Sequence, residues 1–129
     1  MDCLLDTCTA IWFFEGSAEI PPRIRDMLCD PERHVYFSDA SILEIVIKHR
    51  LGKLPLPAAP SRLLPVLIRK HGFDVLPIRT RDIFRVEALA DFHRDPFDRL
   101  LVAQAIENNL TLVTPDPLIR QYPAKCVWK

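Results

Sequence analysis

The chain has 129 residues, 49% hydrophobic and 26% charged, and its 17 basic and 17 acidic side chains cancel. Residues 1–129 suit one compact domain, and the composition excludes both a disordered chain and a membrane-spanning one, because no apolar run nears the ~18 residues of a transmembrane helix. Zero net charge also excludes a general attraction to nucleic acid, so any such binding has to be local.

Asp2 and Asp6 interrupt the N-terminal stretch, which lacks the basic start and apolar core of a signal peptide; a cytoplasmic protein is expected. Cys3-Leu4-Leu5 reads as a short apolar strand that stops at Asp6-Thr7 and runs into a helix through Ala10-Ile11-Trp12-Phe13-Phe14. Pro21-Pro22 opens a helix over Arg23 to Cys29, proline being suited to a first helical turn. Val35-Tyr36-Phe37 is a strand ending at Ser38, and residues 41–51 form a helix closed by Gly52. Among twelve prolines, those of LPLPAAP (54–60) mark the clearest connector. A helix over Arg62 to Lys70, a strand over Phe73 to Pro77, and helices over Thr80 to Leu89 and Pro96 to Asn108 follow. Thr111-Leu112-Val113 is a strand leading into Thr114-Pro115-Asp116, and Cys126-Val127-Trp128 reads as a last strand. Short apolar strands alternating with helices predict an α/β fold with a mostly parallel sheet, where function gathers at the carboxyl ends of the strands.

The four cysteines (Cys3, Cys8, Cys29, Cys126) form no CxxC pair and have no nearby histidine at zinc spacing. They are expected to be reduced and without catalytic duty.

Four acids stand at telling positions. Asp6 and Asp116 each follow a strand, where aspartate also serves as an N-cap. Glu44 lies among Ile42, Leu43, Ile45, Val46 and Ile47, and a glutamate in such a helix is at least partly buried. Its competing role is a capping box with Ser41, or a pair with Lys48 one turn on. Asp98 either completes a box begun by the cap Asp95, with Pro96 as first helical residue, or belongs to a site that needs carboxylates. If the four converge, repulsion is large: two unit charges about 4 Å apart interact by roughly 4 kcal/mol at an effective dielectric of about 20. Such a cluster needs retained protons or a cation. Hard oxygen ligands suit magnesium or manganese, and the chemistry such a site serves is usually displacement at phosphorus by a metal-activated water.

LLDT (4–7), SDASILEIVIKHRLGKL (38–54), HRDPFDRLLVAQA (93–105) and LVTPD (112–116) closely resemble, in order and approximate spacing, the PIN-domain toxins of the VapC family. The resemblance covers essentially the whole chain. It implies a PIN-like three-layer α/β/α fold and a Mg2+- or Mn2+-dependent endoribonuclease. It also implies the toxin of a type II toxin–antitoxin pair, a homodimer neutralised by a small VapB-like antitoxin lying across the cleft. The family's acids fall on Asp6, Glu44, Asp98 and Asp116, with Thr114 at a hydroxyl position near the metal and Asp95 as an auxiliary acid. Asp6 and Asp98 are expected as the principal ligands, Asp116 completing the set directly or through water, and Glu44 orienting or deprotonating the attacking water. Lys48, Arg50, Lys53, Arg94 and Arg99 stand beside these acids and either hold the RNA backbone or form solvated helix faces and ion pairs.

Two other readings compete. One is a catalytically silent PIN-like module that binds RNA or antitoxin, with the acids as caps. The other is a phosphatase with Asp6 as nucleophile, whose family wants an aspartate two residues on, where this chain has Cys8.

Overall fold

The computed structural model describes residues 2–129. Among these residues five strands, β1 (Cys3–Leu5), β2 (Val35–Ser38), β3 (Asp74–Leu76), β4 (Thr111–Val113) and β5 (Cys126–Val127), make one parallel sheet in the order β3-β2-β1-β4-β5. Central β1 aligns Cys3 with Val35 on one side and with Thr111 on the other. All three of its residues are fully buried, which is why the strand reads as an unbroken apolar run and not as an alternation. The chain leaves β1 toward β2 and reaches its other flank only at β4. Strand order therefore reverses beside β1, and in open parallel sheets such a reversal opens a crevice at the carboxyl ends.

Helices cover both faces: α1 (Thr7–Glu15), α2 (Pro22–Cys29), α3 (Asp39–Arg50), α4 (Pro60–Lys70), α5 (Thr80–Glu87) and α6 (Pro96–Glu107), with a 3-10 turn at Ile119–Gln121. Side chains of β1 alternate between two cores. Cys3 and Leu5 meet Phe13, Ile24, Ile45 and Leu64 from α1 to α4. Leu4 faces the other way, with Leu112, against Leu101 and Val102 of α6 and Ile119 of the 3-10 turn. The result is the three-layer α/β/α arrangement, each fully buried large apolar side chain contributing about 1.5–3 kcal/mol. Among the described residues, no helix is long and apolar enough to cross a membrane.

The start of α3 differs from the sequence expectation. Ser38, not Ser41, is the cap: its Oγ accepts the Ala40 N–H at 2.9 Å and donates to Oε1 of buried Gln104 in α6 at 2.5 Å. Ser41 lies inside the helix and accepts a hydrogen bond from Thr7 Oγ1 at 2.9 Å. A Ser41–Glu44 capping box is thereby excluded, because Ser41 and Glu44 both lie inside the helix and Ser38 stands at its N-cap. Helix α4 begins at Pro60, two residues before the expected Arg62, since a proline costs nothing where the first-turn N–H has no partner. Helix α5 stops at Glu87 instead of Leu89. Gly52 takes a left-handed φ of 73° just beyond α3, which suits it to the turn that ends the helix.

Candidate active site

The crevice beside β1 is a cleft of about 530 Å³, and Asp6, Glu44, Asp95, Asp98 and Asp116 all line it. Four separate elements deliver them: the end of β1, the second turn of α3, the first turn of α6, and the loop after β4. The acids that lie up to 110 positions apart in the chain are brought to one edge of the sheet.

Asp6 caps a helix and faces the cleft at once. Its Oδ1 accepts the Thr9 N–H at 2.7 Å, and its Oδ2 accepts from Thr114 Oγ1 at 2.5 Å. Burial pushes its pKa up; the bonds from Thr114 and Thr9 oppose that, and the charge of Asp116 adds to it. With both oxygens braced and the residue only 4% exposed, Asp6 is placed to hold something and not to swing out as a nucleophile. Thr114 is fully buried behind Asp6, and its Oγ1 also accepts the Asp116 N–H at 3.1 Å, so one hydroxyl sets two acids. Asp116 divides its oxygens in the same way: Oδ1 accepts the Leu118 N–H at 2.8 Å, and Oδ2 lies 3.0 Å from Nε2 of His93. Capping and site roles are therefore compatible at both positions.

Glu44 is 4% exposed. Its Oε2 accepts from Lys48 Nζ at 2.5 Å, the one-turn pair foreseen in the sequence, while its Oε1 is buried with no hydrogen-bond partner. A buried carboxylate oxygen without a donor costs roughly 1–3 kcal/mol or more, so this atom marks a place where a ligand is wanted.

Asp95 is the cap of α6: its Oδ1 accepts the N–H groups of Phe97 at 2.8 Å and Asp98 at 3.4 Å. Asp98 does not close a box, because the Asp95 N–H donates instead to His93 Nδ1 at 3.1 Å. Freed from capping, Asp98 Oδ2 lies 3.1 Å from His93 Nε2. Burial, followed by the charge of Asp95, pushes the Asp98 pKa up to about 7, with Glu44 and Asp6 adding to the rise and His93 opposing it.

The basic residues separate into three groups. Lys48 and Lys53 line the cleft. Arg50 and Arg94 are exposed but do not line it. Arg99 is spent elsewhere: its guanidinium donates to the carbonyls of Val86, Leu89, Ala90 and His93 and to the Tyr122 hydroxyl, at 2.9–3.4 Å. That makes Arg99 a clamp on the loop before α6, with both its Nη1 and Nη2 groups turned to that loop and to Tyr122. The sequence reading gave no role to His93 or Tyr122, although His93 stands two residues before the α6 cap in the HRDPFD segment. Cys8 also lines the cleft, where burial first and the charge of Asp6 next push its thiol up to about 11, so it is no nucleophile near neutral pH.

This donor set fits a hard divalent cation. It offers carboxylate oxygens, it holds an orphaned buried Glu44 Oε1, and burial, with the neighbouring acids adding to it, pushes the pKa of Asp98 up to about 7. Asp6, Asp98 and Asp116 line the cleft where such an ion would be held, with Glu44 beside them. Among the described residues, the group whose atoms lie within 4.8 Å of one another is His93, Asp98 and Asp116, without Asp6. However, Nδ1 of His93 accepts the Asp95 N–H, so the ring proton sits on Nε2 and that nitrogen has no lone pair for a metal.

A comparison with curated protein sequences finds no match. Solved structures of similar fold include VapBC2 from Rickettsia felis bound to a fragment of its promoter DNA, at 15% identity over all of both chains with a TM-score of 0.72. DNA-bound VapBC from Salmonella typhimurium is 19% identical over 98% of this chain and 97% of that one, with a TM-score of 0.69. The PIN domain endonuclease Utp24 is 16% identical, covering 93% of this chain and 74% of that one, with a TM-score of 0.53. At these identities the likeness is one of fold. The sequence profile of the PIN domain matches residues 3–125, nearly the full length. The chain belongs to the PIN domain family.

Proposed function

We propose that the protein is a magnesium- or manganese-dependent endoribonuclease and the toxin of a type II toxin–antitoxin pair. The observation that carries this reading is the gathering of Asp6, Glu44, Asp98 and Asp116 into one cleft at the point where strand order reverses. Asp6, Asp98 and Asp116 would hold the cation, Thr114 and the first turn of α1 keeping Asp6 in place. The bound ion would supply Lewis-acid polarisation of a phosphate oxygen and a lowered pKa for a water. Glu44 orients the attacking water and accepts its proton through Oε1, which has no competing partner. Attack at phosphorus breaks the opposite P–O bond of the RNA backbone. Lys48 and Lys53 meet the neighbouring phosphates, a local positive patch that a chain of zero net charge requires.

Its partner on this reading is a VapB-like antitoxin. Supporting this, the fold resembles that of VapBC proteins, and an apolar groove of about 260 Å³ lined by Ile11, Phe14, Ile45, Leu56 and Leu67 adjoins the cleft through Ile11. A homodimer follows from the same resemblance, and light scattering that gives only monomer at high concentration would contradict it.

The test is RNA cleavage by protein purified free of antitoxin. Cleavage is expected with magnesium, abolished by EDTA, and reduced at least ~100-fold in Asp6→Asn, Glu44→Gln and Asp98→Asn, more than loss of an outer-shell partner usually costs. Undiminished metal-dependent cleavage in these variants would overturn the assignment.

A further inference from the structure

We infer that His93 is a positioning residue of the site: its Nε2–H holds the facing oxygens of Asp98 and Asp116 so that both carboxylates present to one ion. The inference rests on the metal-dependent reading above and adds a residue to it.

Three observations converge. Nε2 is hydrogen-bonded to Asp116 Oδ2 at 3.0 Å and lies 3.1 Å from Asp98 Oδ2, so one N–H stands between acids carried by α6 and by the loop after β4. Nδ1 accepts the backbone N–H of Asp95, which fixes the tautomer and makes the imidazole a donor toward the acids. The residue itself is held from behind. Its N–H donates to the Tyr122 hydroxyl at 3.0 Å, that hydroxyl donates to the Ala90 carbonyl at 2.7 Å, and the His93 carbonyl accepts from Arg99 at 3.2 Å. A ring only pinning a surface loop to a helix cap has no need of a second nitrogen aimed at two carboxylates. Half-buried among acids, a donor there offsets part of the Asp98–Asp116 repulsion and fixes how the two carboxylates are turned toward the ion.

A plain loop-stapling role makes the opposite prediction for a pair of substitutions. His93→Gln can place an amide N–H where Nε2 stands but loses the acceptor for the Asp95 N–H. His93→Asn can keep that acceptor, near Nδ1, and loses the donor to the acids. Manganese affinity, read by calorimetry on the full chain, is expected to stay near that of the unaltered protein in His93→Gln. It should fall about 10- to 100-fold in His93→Asn, the range typical of an outer-shell partner. Affinity equal in both variants, or weaker in His93→Gln than in His93→Asn, overturns the inference alone. Absence of a saturable manganese site in the unaltered protein overturns it together with the proposed function. Long-range nitrogen NMR of the unaltered protein asks the same question without a substitution: the ring proton stays on Nε2 before and after magnesium is added, and a proton on Nδ1 overturns the claim.

Discussion

Asp6 and Asp98 face one cleft from opposite walls, and they are held there by different means. Asp6 follows a central strand whose register is set on both sides, and its oxygens accept from Thr9 of the next helix and from Thr114 just beyond the neighbouring strand β4. Asp98 stands on a helix whose first turn depends on the preceding loop, and that loop depends on Arg99 and Tyr122. The sheet wall is braced by regular structure. The α6 wall is braced by side chains folded under an irregular segment. Half of the site should therefore tolerate local loosening and half should not.

The largest effect is expected on the α6 wall. Arg99→Ala leaves the carbonyls of Val86, Leu89, Ala90 and His93 without their donor. Unfolding free energy should fall by about 3 kcal/mol, softened where water reaches the loop. Amide exchange should rise first across residues 86–94. Exchange that rises instead around β1 and β4 would erase the distinction between the walls.

On the sheet wall, Thr114→Val keeps the shape and removes the hydroxyl that bonds both Asp6 and the Asp116 N–H. A loss of roughly 2 kcal/mol is expected in denaturant unfolding, as for a hydrogen bond to a charged group. A neutral result would mean that the register of the strands alone positions Asp6.

A third effect is a pH dependence. The pKa of Asp98 rises from 3.8 to about 7 in the folded chain. Between those values the folded protein keeps a proton that the unfolded chain has released. Stability is therefore fully present below about pH 4 and is lost as pH rises through 7, by at most a few kcal/mol. Thermal unfolding without metal should show this fall, magnesium should reduce it, and Asp98→Asn should flatten it. A slope unchanged in Asp98→Asn would place the strained carboxylate elsewhere.

The same contrast explains what was legible in the sequence. Acids directly after short apolar strands announce their address, because a parallel sheet fixes where each strand ends; Asp6 and Asp116 were readable on that ground. Asp98 was readable through the Asp95-Pro96 helix start, and the structure removes the competing box by sending the Asp95 N–H to His93. Ser38 was not distinguishable from Ser41 as the α3 cap, because the choice is made by tertiary bonds to Gln104 and Thr7. Arg99 beside an acid has the look of an RNA-binding residue. Only the fold of residues 86–93 over its guanidinium reveals a clamp, and no spacing in the chain encodes that. His93 went unassigned for the same reason, since its role depends on two acids delivered by different elements.

The central claim is that the acids from both walls form one cation site. An anomalous-difference map from crystals grown with manganese tests it most directly. The account predicts a peak in the cleft bonded to oxygens of Asp6, Asp98 and Asp116 at about 2.1 Å, the distance of a small hard cation, with His93 Nε2 outside bonding range. A cleft without a peak, or a peak bonded to His93 Nε2, would contradict it.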